Sequence, residues 1–250
     1  MKTNSPQIIA HRGSSGNAPE NTLSAFRLAL EAGAKGIEID VHLSKDKKVV
    51  VIHDFRIDRT TGNKGLVSEI TFAELRKCNA SKGFEDAFPD EKIPSLEEVL
   101  NLTKGKAILY IELKKGRTFY PGLEERVLQC IYSQKAEGWC VLHSFHPAIL
   151  FRINRSDKKI PLLLTAENYS VLQKNPDAFF KRPLMKLSNM AGLNLNSARL
   201  SAGLLKKIHS HGMKLYSWTV NNTNEMRRMK RIGADGIITN FPSRAAKLFS

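Results

Sequence analysis

The chain has 250 residues, of which 42% are hydrophobic and 25% charged, a composition that fits a folded globular protein and excludes a disordered or fibrous one. The formal net charge of +15 suggests a nucleic-acid partner, but the lysines and arginines are dispersed, without long basic blocks or interleaved aromatic residues. We therefore predict a solvated basic surface and no nucleic-acid partner. The three cysteines, Cys78, Cys130 and Cys140, lack the spacing of a disulfide framework or a thiolate metal site.

The sequence shows no apolar run near the roughly 20 residues that cross a bilayer. Residues 1–6 lead directly into the apolar run 7–10, with no signal-peptide segment between them. We therefore expect a cytoplasmic protein without stable membrane insertion. The oligomeric state is not indicated by any pattern in the chain.

Apolar runs alternate with amphipathic stretches along the chain, which is typical of βα units. The predicted strands are residues 8–11, 36–41, 49–53, 107–113, 140–145, 161–165, 192–196, 214–220 and 236–239. The predicted helices are residues 21–32, 72–78, 96–102, 123–134, 147–154, 202–211 and 225–232. An eight-stranded (β/α)8 barrel needs one strand fewer, and periodicity alone does not identify the surplus strand.

The connection between the second and third predicted strands is too short for a crossover helix, which needs at least about 10–12 residues. We therefore predict a hairpin-like return through residues 45–48. Residues 54–93 contain several glycine turns and a single predicted helix, and we interpret them as an insertion on the active-site side. The predicted fold class is α/β: a TIM (β/α)8 barrel forming one domain over residues 1–250, with a small insertion after the third strand.

Polar residues lie at or just after the carboxyl ends of four predicted strands: His11 and Arg12, Glu38 and Asp40, His53 and Asp54, and Glu112 and Lys114. Side chains alternate across a strand, so Glu38 and Asp40 point to the same face. Neighbouring carboxylates repel one another and favour a cation between them. Three carboxylates without a nearby cysteine favour a hard, oxygen-preferring ion, either Mg²⁺ or Ca²⁺. The set suits metal-assisted cleavage of a phosphate ester.

A longer series of motifs spans roughly residues 7 to 245 and is weakest over 160–200. Its main members are His11-Arg12-Gly13, Pro19-Glu20-Asn21-Thr22, Glu38-Ile39-Asp40, His53-Asp54, Asp58-Arg59-Thr60-Thr61, Glu112-Leu113-Lys114, Ser144-Phe145, Trp218-Thr219-Val220-Asn221 and Asp235-Gly236-Ile237. In this order the motifs resemble the glycerophosphodiester phosphodiesterase family. The resemblance implies a TIM barrel that uses a divalent metal ion to hydrolyse a small-molecule glycerophosphodiester to glycerol 3-phosphate and an alcohol.

The same resemblance implies roles for individual residues. It implies that His11 and His53 are the general acid and base, that Arg12 and Lys114 bind the phosphate, and that Glu38, Asp40 and Glu112 hold the metal. Imidazoles suit this role because they titrate near neutral pH, so one can be protonated while the other is not. Phe145 and Trp218 each end an apolar run, and we predict that they form an apolar wall beside the glycerol.

Five further polar residues receive a structural interpretation. Asn21 and Thr22 are interpreted as helix-capping groups, and His42 and His143 as structural histidines. Asn240 stands where the family often has aspartate before the last proline. We expect this difference to affect the site little.

Two other functions remain open at this point. One is a phospholipase D-like phosphodiesterase acting on lysophospholipids or sphingomyelin, which would need a wide apolar entrance and a membrane-docking loop. The insertion offers Phe55, Phe72, Phe84 and Phe88 for such a loop, but charged residues are interspersed among them. The other is a catalytically inactive barrel that acts as a binding protein. The presence of every histidine and carboxylate of the pattern argues against the inactive barrel.

Overall fold

A computed structural model describes residues 5–115 and 120–250 of the chain, so residues 1–4, which precede the first predicted strand, lie outside the described part. Its strands are β1 (Gln7–His11), β2 (Gly36–Leu43), β3 (Val49–Val51), β4 (Ile108–Leu113), β5 (Cys140–Ser144), β6 (Leu162–Ala166), β7 (Met190–Asn196), β8 (Lys214–Trp218) and β9 (Gly236–Thr239). Apart from β3, these strands are parallel to their neighbours, and the ring closes because β1 pairs with both β9 and β2. The predicted TIM barrel is confirmed.

The surplus strand is β3. It runs antiparallel to the end of β2, with Val41 opposite Val51 and Leu43 opposite Val49. The predicted return through residues 45–48 is therefore confirmed. Beyond β3, the backbone N–H of Ile52 donates to the carbonyl of Asp40 at 3.0 Å. This bond holds the segment that leads to His53 against the carboxyl end of β2.

The α-helices in the described residues lie outside the barrel or in the insertion. They are α1 (Leu23–Glu31), α2 (Asp58–Thr61), α3 (Phe72–Leu75), α4 (Leu96–Thr103), α5 (Leu123–Ser133), α6 (Pro147–Ser156), α7 (Ser170–Lys174), α8 (Pro176–Phe180), α9 (Ala202–Ser210), α10 (Thr223–Ile232) and α11 (Pro242–Phe249). Short 3₁₀ turns cover Val67–Glu69, Glu137–Trp139, Pro183–Lys186 and Ser197–Arg199. Capping residues set the starts of α1 and α4: Thr22 accepts from the Ala25 amide, and Ser95 forms a capping box with Glu98.

Alternation along the strands separates the core from the cleft. In β2, Ile37 and Ile39 join the large cluster between sheet and helices, so Glu38 and Asp40 point into the barrel. A second cluster of Ile9, Tyr110, Leu163, Tyr216 and Ile238 fills the barrel interior. A Cβ at Gly36 would lie 2.8 Å from the Tyr110 ring, so only glycine fits there. The apolar interior leaves polar side chains to the carboxyl ends of the strands.

The insertion at residues 54–93 has a small core of its own. Its buried side chains Ile57, Val67, Leu75, Ala80 and Ile93 cluster with Val50 of β3 and with Ile52, which follows that strand. Full burial of an aliphatic side chain of this size contributes about 1.5–3 kcal/mol. The insertion therefore packs as an ordered extension of β3, which places Asp54 and α2 at the edge of the barrel mouth.

Candidate active site

Polar side chains from neighbouring barrel strands meet in one cleft at the carboxyl ends of the strands. The register aligns His11 with Glu38, Asp40 with Glu112, and Glu112 with His143. The cleft is lined by His11, Arg12, Glu38, His53, Glu112, Lys114, His143, Phe145, Thr165, Asn194, Trp218 and Ile238. All predicted site residues except Asp40 line this cleft, and Asp40 is buried directly against Arg12 and Lys114.

The Asp40 carboxylate is surrounded by donors. Lys114 Nζ lies 2.8 Å from Oδ1, while Arg12 Nε and Asn21 Nδ2 lie 3.2 Å and 2.9 Å from Oδ2. Burial opposes ionisation of this group, but the Lys114 and Arg12 cations outweigh it and hold the pKa of Asp40 well below its usual range. Asp40 is therefore a permanent anion that orients both cations.

The pKa values of Glu38 and Glu112 shift in the opposite direction to that of Asp40. Burial, together with the nearby carboxylates of Asp40 and Glu112, raises the pKa of Glu38 well above its usual range. Burial also raises the pKa of Glu112, although Lys114 Nζ lies 2.5 Å from its Oε1. Acids that are buried this closely need additional positive charge to ionise together. This shortage of positive charge fits a site for a divalent cation.

Donor atoms of Glu38, Glu112 and His143 lie within 4.8 Å of one another, close enough to bind one metal ion. The oxygens of Asp40 face Lys114, Arg12 and Asn21 instead. The assignment of Asp40 as a metal ligand therefore stays a prediction. His143 was not predicted to belong to the site at all.

His143 is buried inside the cleft, with 1% of its surface exposed. Its Nδ1 lies 2.9 Å from Thr165 Oγ1, and no group within residues 5–115 and 120–250 forms a hydrogen bond with its Nε2. Burial, with the charge of Lys114, lowers the pKa of His143 to about 3, so the ring is neutral. The interpretation of His143 as a structural histidine stays a prediction, but its place in the lining of the cleft was not anticipated. Its position at the end of β5, in register with Glu112, was the available signal.

His11 is oriented by Asn240. The His11 Nδ1 lies 2.6 Å from Asn240 Oδ1, and because an amide oxygen only accepts, Nδ1 carries the proton. The other nitrogen, Nε2, faces the cleft 3.9 Å from Glu38 Oε2. Burial, with the charge of Arg12, lowers the pKa of His11 to about 4. The contact of Asn240 with His11 was not anticipated, because it arises when closure of the barrel places the end of β9 beside β1. The expectation that asparagine at this position affects the site little stays a prediction.

His53 is oriented in the same way by its own neighbour. Asp54 Oδ1 accepts a hydrogen bond from His53 Nδ1 at 2.6 Å, so that Nε2, as in His11, has no hydrogen bond to any described residue. His42 Nε2 donates to the His53 carbonyl at 2.9 Å, while its Nδ1 contacts the Tyr120 hydroxyl at 2.8 Å. His42 therefore has the structural role that was predicted for it.

A chain of ion pairs connects His53 to Arg12. Arg59 Nε donates to Asp54 Oδ2 at 2.7 Å. The two terminal nitrogens of Arg59 donate to the two Glu20 carboxylate oxygens at 2.7 and 2.8 Å. Glu20 Oε1 in turn lies 3.1 Å from Arg12 NH1. The motifs in the sequence contain Glu20 and Arg59, but nothing in their spacing reveals this contact.

Two aromatic side chains form one wall of the cleft. Phe145 and Trp218 meet edge to face with ring centroids 5.3 Å apart. The indole N–H of Trp218 donates to the Asn194 carbonyl at 3.1 Å, which fixes its ring. The pair therefore matches the predicted apolar wall in position.

The capping interpretation holds for only one of the two residues before α1. Thr22 caps the helix, whereas Asn21 has a φ of 57° and donates its side-chain amide to Asp40. Asparagine tolerates this left-handed backbone conformation better than most residues. Asn21 is therefore part of the carboxylate site, not a helix cap.

Comparison with known proteins agrees with this geometry. The sequence profile of the glycerophosphoryl diester phosphodiesterase family matches residues 11–244. This chain belongs to that family. It is 38% identical over 236 residues to the glycerophosphodiester phosphodiesterase of Caldanaerobacter subterraneus subsp. tengcongensis, covering 94% of each chain. It is 36% identical over 244 residues to the enzyme of that name from Bacillus altitudinis, covering 97% of each.

A solved phosphodiesterase from Oleispira antarctica has a similar fold, with a TM-score of 0.82 and 28% identity over 97% of this chain and 96% of that one. That enzyme was solved in complex with its product sn-glycerol-3-phosphate. The family and the enzyme class predicted for this phosphodiesterase are confirmed. Within residues 5–115 and 120–250, no helix combines the length and apolarity that crossing a bilayer requires.

Proposed function

We propose that this phosphodiesterase hydrolyses glycerophosphodiesters to glycerol 3-phosphate and an alcohol, with a divalent cation and with His11 and His53 transferring the protons. One observation carries the proposal above all: two imidazoles, each held at Nδ1, present a free Nε2 to a cleft of buried carboxylates and cations. The product bound to the Oleispira enzyme supports the glycerol phosphate side of the substrate.

The cation would be held by Glu38, Asp40 and Glu112, and it would neutralise negative charge that develops on the phosphoryl group. Lys114 has three N–H donors, of which Asp40 and Glu112 engage two, so one remains for a phosphoryl oxygen. Arg12 contacts Asp40 through Nε and Glu20 through NH1, which leaves other N–H groups of its fork for the phosphate.

The two histidines divide the proton transfers between them. One neutral ring accepts at Nε2 the proton of the attacking hydroxyl, which belongs to water or to the substrate itself. The other ring, protonated at both nitrogens, donates its Nε2 proton to the departing alcohol oxygen. Asn240 and Asp54 keep the proton on Nδ1 in each ring, so the cleft-facing nitrogen is always the one that exchanges. The pose that we propose places glycerol against Phe145 and Trp218.

The direct test is to supply glycerophosphocholine and measure glycerol 3-phosphate by coupled oxidation. We expect glycerol 3-phosphate and choline in equal amounts. Protein in which both catalytic histidines are replaced controls for contaminating phosphodiesterases. Release of phosphocholine and glycerol would place the cleaved bond on the other side of the phosphorus and contradict the proposal.

Substrate selectivity tests the proposed pose. If glycerol lies against the aromatic wall and the alcohol points outward, choline, ethanolamine and glycerol esters should react with kcat/KM values within about 10-fold of one another. Bis(p-nitrophenyl) phosphate, which lacks glycerol, should react much more slowly, because buried polar groups matched to hydroxyls are then left unpaired. A strong preference for one alcohol, or for long-chain lysophospholipids, would show instead that the insertion recognises the leaving group.

The ion-pair chain gives a prediction for Arg59. Arg59→Ala should lower kcat/KM by about 10–100-fold, since removing a group that orients a functional side chain costs roughly this much. Arg56→Ala is the matched control, because Arg56 pairs with Asp58 in the same segment and contacts neither Asp54 nor Glu20. Equal effects of the two substitutions on the steady-state rate would contradict a positioning role for Arg59.

A further inference from the structure

His143 is the one cleft histidine that the proposed proton transfers do not use. It lies at the carboxyl end of β5, next to Glu112 in the register, and is almost completely buried. Among the residues that the structure describes, its Nε2 has no hydrogen-bond partner, and the nearest carboxylate oxygen, Glu38 Oε1, is 3.8 Å away. A buried polar atom without a partner typically costs about 1–3 kcal/mol, so its presence here requires an explanation.

The contact at Nδ1, on the opposite side of the ring, leaves the lone pair of Nε2 available to bind a metal ion. Thr165 Oγ1 contacts Nδ1 at 2.9 Å, and a hydroxyl both donates and accepts. Thr165 therefore keeps this bond when the proton sits on Nδ1 and the lone pair sits on Nε2. Thr165 is itself buried, and Asn194 Nδ2 contacts the same hydroxyl at 3.5 Å. Metal-ligating histidines are commonly held through their second nitrogen in this way.

The position of Nε2 completes a ligand set. One ring nitrogen of His143 and one oxygen each of Glu38 and Glu112 lie within 4.8 Å of one another. Nε2 is the nitrogen that faces Glu38, at 3.8 Å, because Nδ1 is bonded to Thr165. The set has two oxygen donors and one nitrogen donor, and the other imidazoles of the cleft direct their Nδ1 atoms to Asn240 and Asp54. With or without Asp40 as a further oxygen ligand, a set that contains an imidazole suits borderline ions better than an all-oxygen set does.

We propose that His143 is a nitrogen ligand to the cation of this site, with Glu38 and Glu112, and that it shifts the preference of the site toward borderline ions such as Co²⁺ or Zn²⁺. This inference rests on the metal dependence proposed above, but not on the substrate. The carboxylates alone favour Mg²⁺ or Ca²⁺, so the preferred ion separates the two expectations.

Metal binding is measured by calorimetry on protein stripped with chelator, with Co²⁺ and Mg²⁺ as probes and without substrate. His143→Ala should weaken Co²⁺ binding by about 10–100-fold or more, because losing even a residue that only orients a metal ligand costs this much. The same substitution should weaken Mg²⁺ binding by less than about 3-fold. The visible spectrum of bound Co²⁺ should change at the same time. His209→Ala is the control, because His209 is exposed and pairs with Asp235 on the outside of the barrel.

Unchanged Co²⁺ affinity and spectrum in His143→Ala would overturn the inference. Thr165→Val keeps the imidazole but removes the hydroxyl that orients it, and should weaken Co²⁺ binding by a smaller factor. If His143→Ala does not fold, spin-echo spectroscopy of Mn²⁺ bound to the wild-type protein detects or excludes a bonded imidazole nitrogen. If the wild-type protein releases glycerol 3-phosphate at the full rate without metal, the proposed metal dependence is contradicted. If metal binds equally well with and without the His143 side chain, only this inference is contradicted.

Discussion

Replacing either His11 or His53 with alanine is expected to lower kcat by about 10²–10⁴-fold, the usual contribution of a positioned general acid or base. Each ring is held at Nδ1, by Asn240 or Asp54, so truncation removes a group that is already oriented for proton transfer. Folding should be little affected, because both side chains line the cleft and are partly exposed, by 17% for His11 and 31% for His53. Steady-state turnover of glycerophosphocholine and a thermal melt measure the two effects separately.

The double variant His11→Ala, His53→Ala should lose less than the product of the two single losses, because residues that act as a unit are not additive. His209→Ala, on the outer surface, provides the matched histidine control. Near-normal turnover in either single variant would remove that histidine from the mechanism. Full multiplicativity would indicate that the two rings act in independent steps.

Removal of divalent metal is expected to abolish turnover, and Mg²⁺ or Ca²⁺ to restore it. Glu112→Gln keeps the side-chain volume but removes one negative charge, so metal affinity should fall by at least about 10-fold and turnover with it. Metal titrations of the steady-state rate measure both quantities.

Glu124→Gln is the control for this substitution, since Glu124 is a buried carboxylate on α5 that pairs with Arg152 far from the cleft. It should change stability without changing the dependence on metal. Full activity in chelator after exhaustive dialysis would contradict the proposed role of the carboxylates. An identical metal requirement in Glu112→Gln and wild type would remove Glu112 from the ligand set.

The barrel was predictable from the sequence because short apolar runs alternate with amphipathic stretches along the chain. In β2, Ile37 and Ile39 pack outward while Glu38 and Asp40 point inward, as the period of two requires. Helices α7 and α8 were not predicted, because each has five residues and such short segments show no helical period. The surplus strand, β3, could be identified only from its antiparallel pairing with β2 in the structure.

The parts of the site that were missed depend on contacts between distant segments. Asn240 reaches His11 only because β9 lies beside β1 when the barrel closes. His143 belongs to the cleft because β5 lies in register with β4. Strand-end positions indicate which residues face the cleft, whereas partners that come from different strands follow from barrel geometry and not from local pattern.

The contact of Arg59 with Glu20 has a consequence for exchanging loops between barrels of this kind. The arginine comes from the insertion and the glutamate from the loop after β1, so the two belong to different βα units. Grafting the insertion alone would bring in the Arg59 guanidinium without the Glu20 carboxylate, and Arg59 would be held by Asp54 alone. The two loops therefore have to be transplanted together, although 38 residues of chain lie between their contacting side chains.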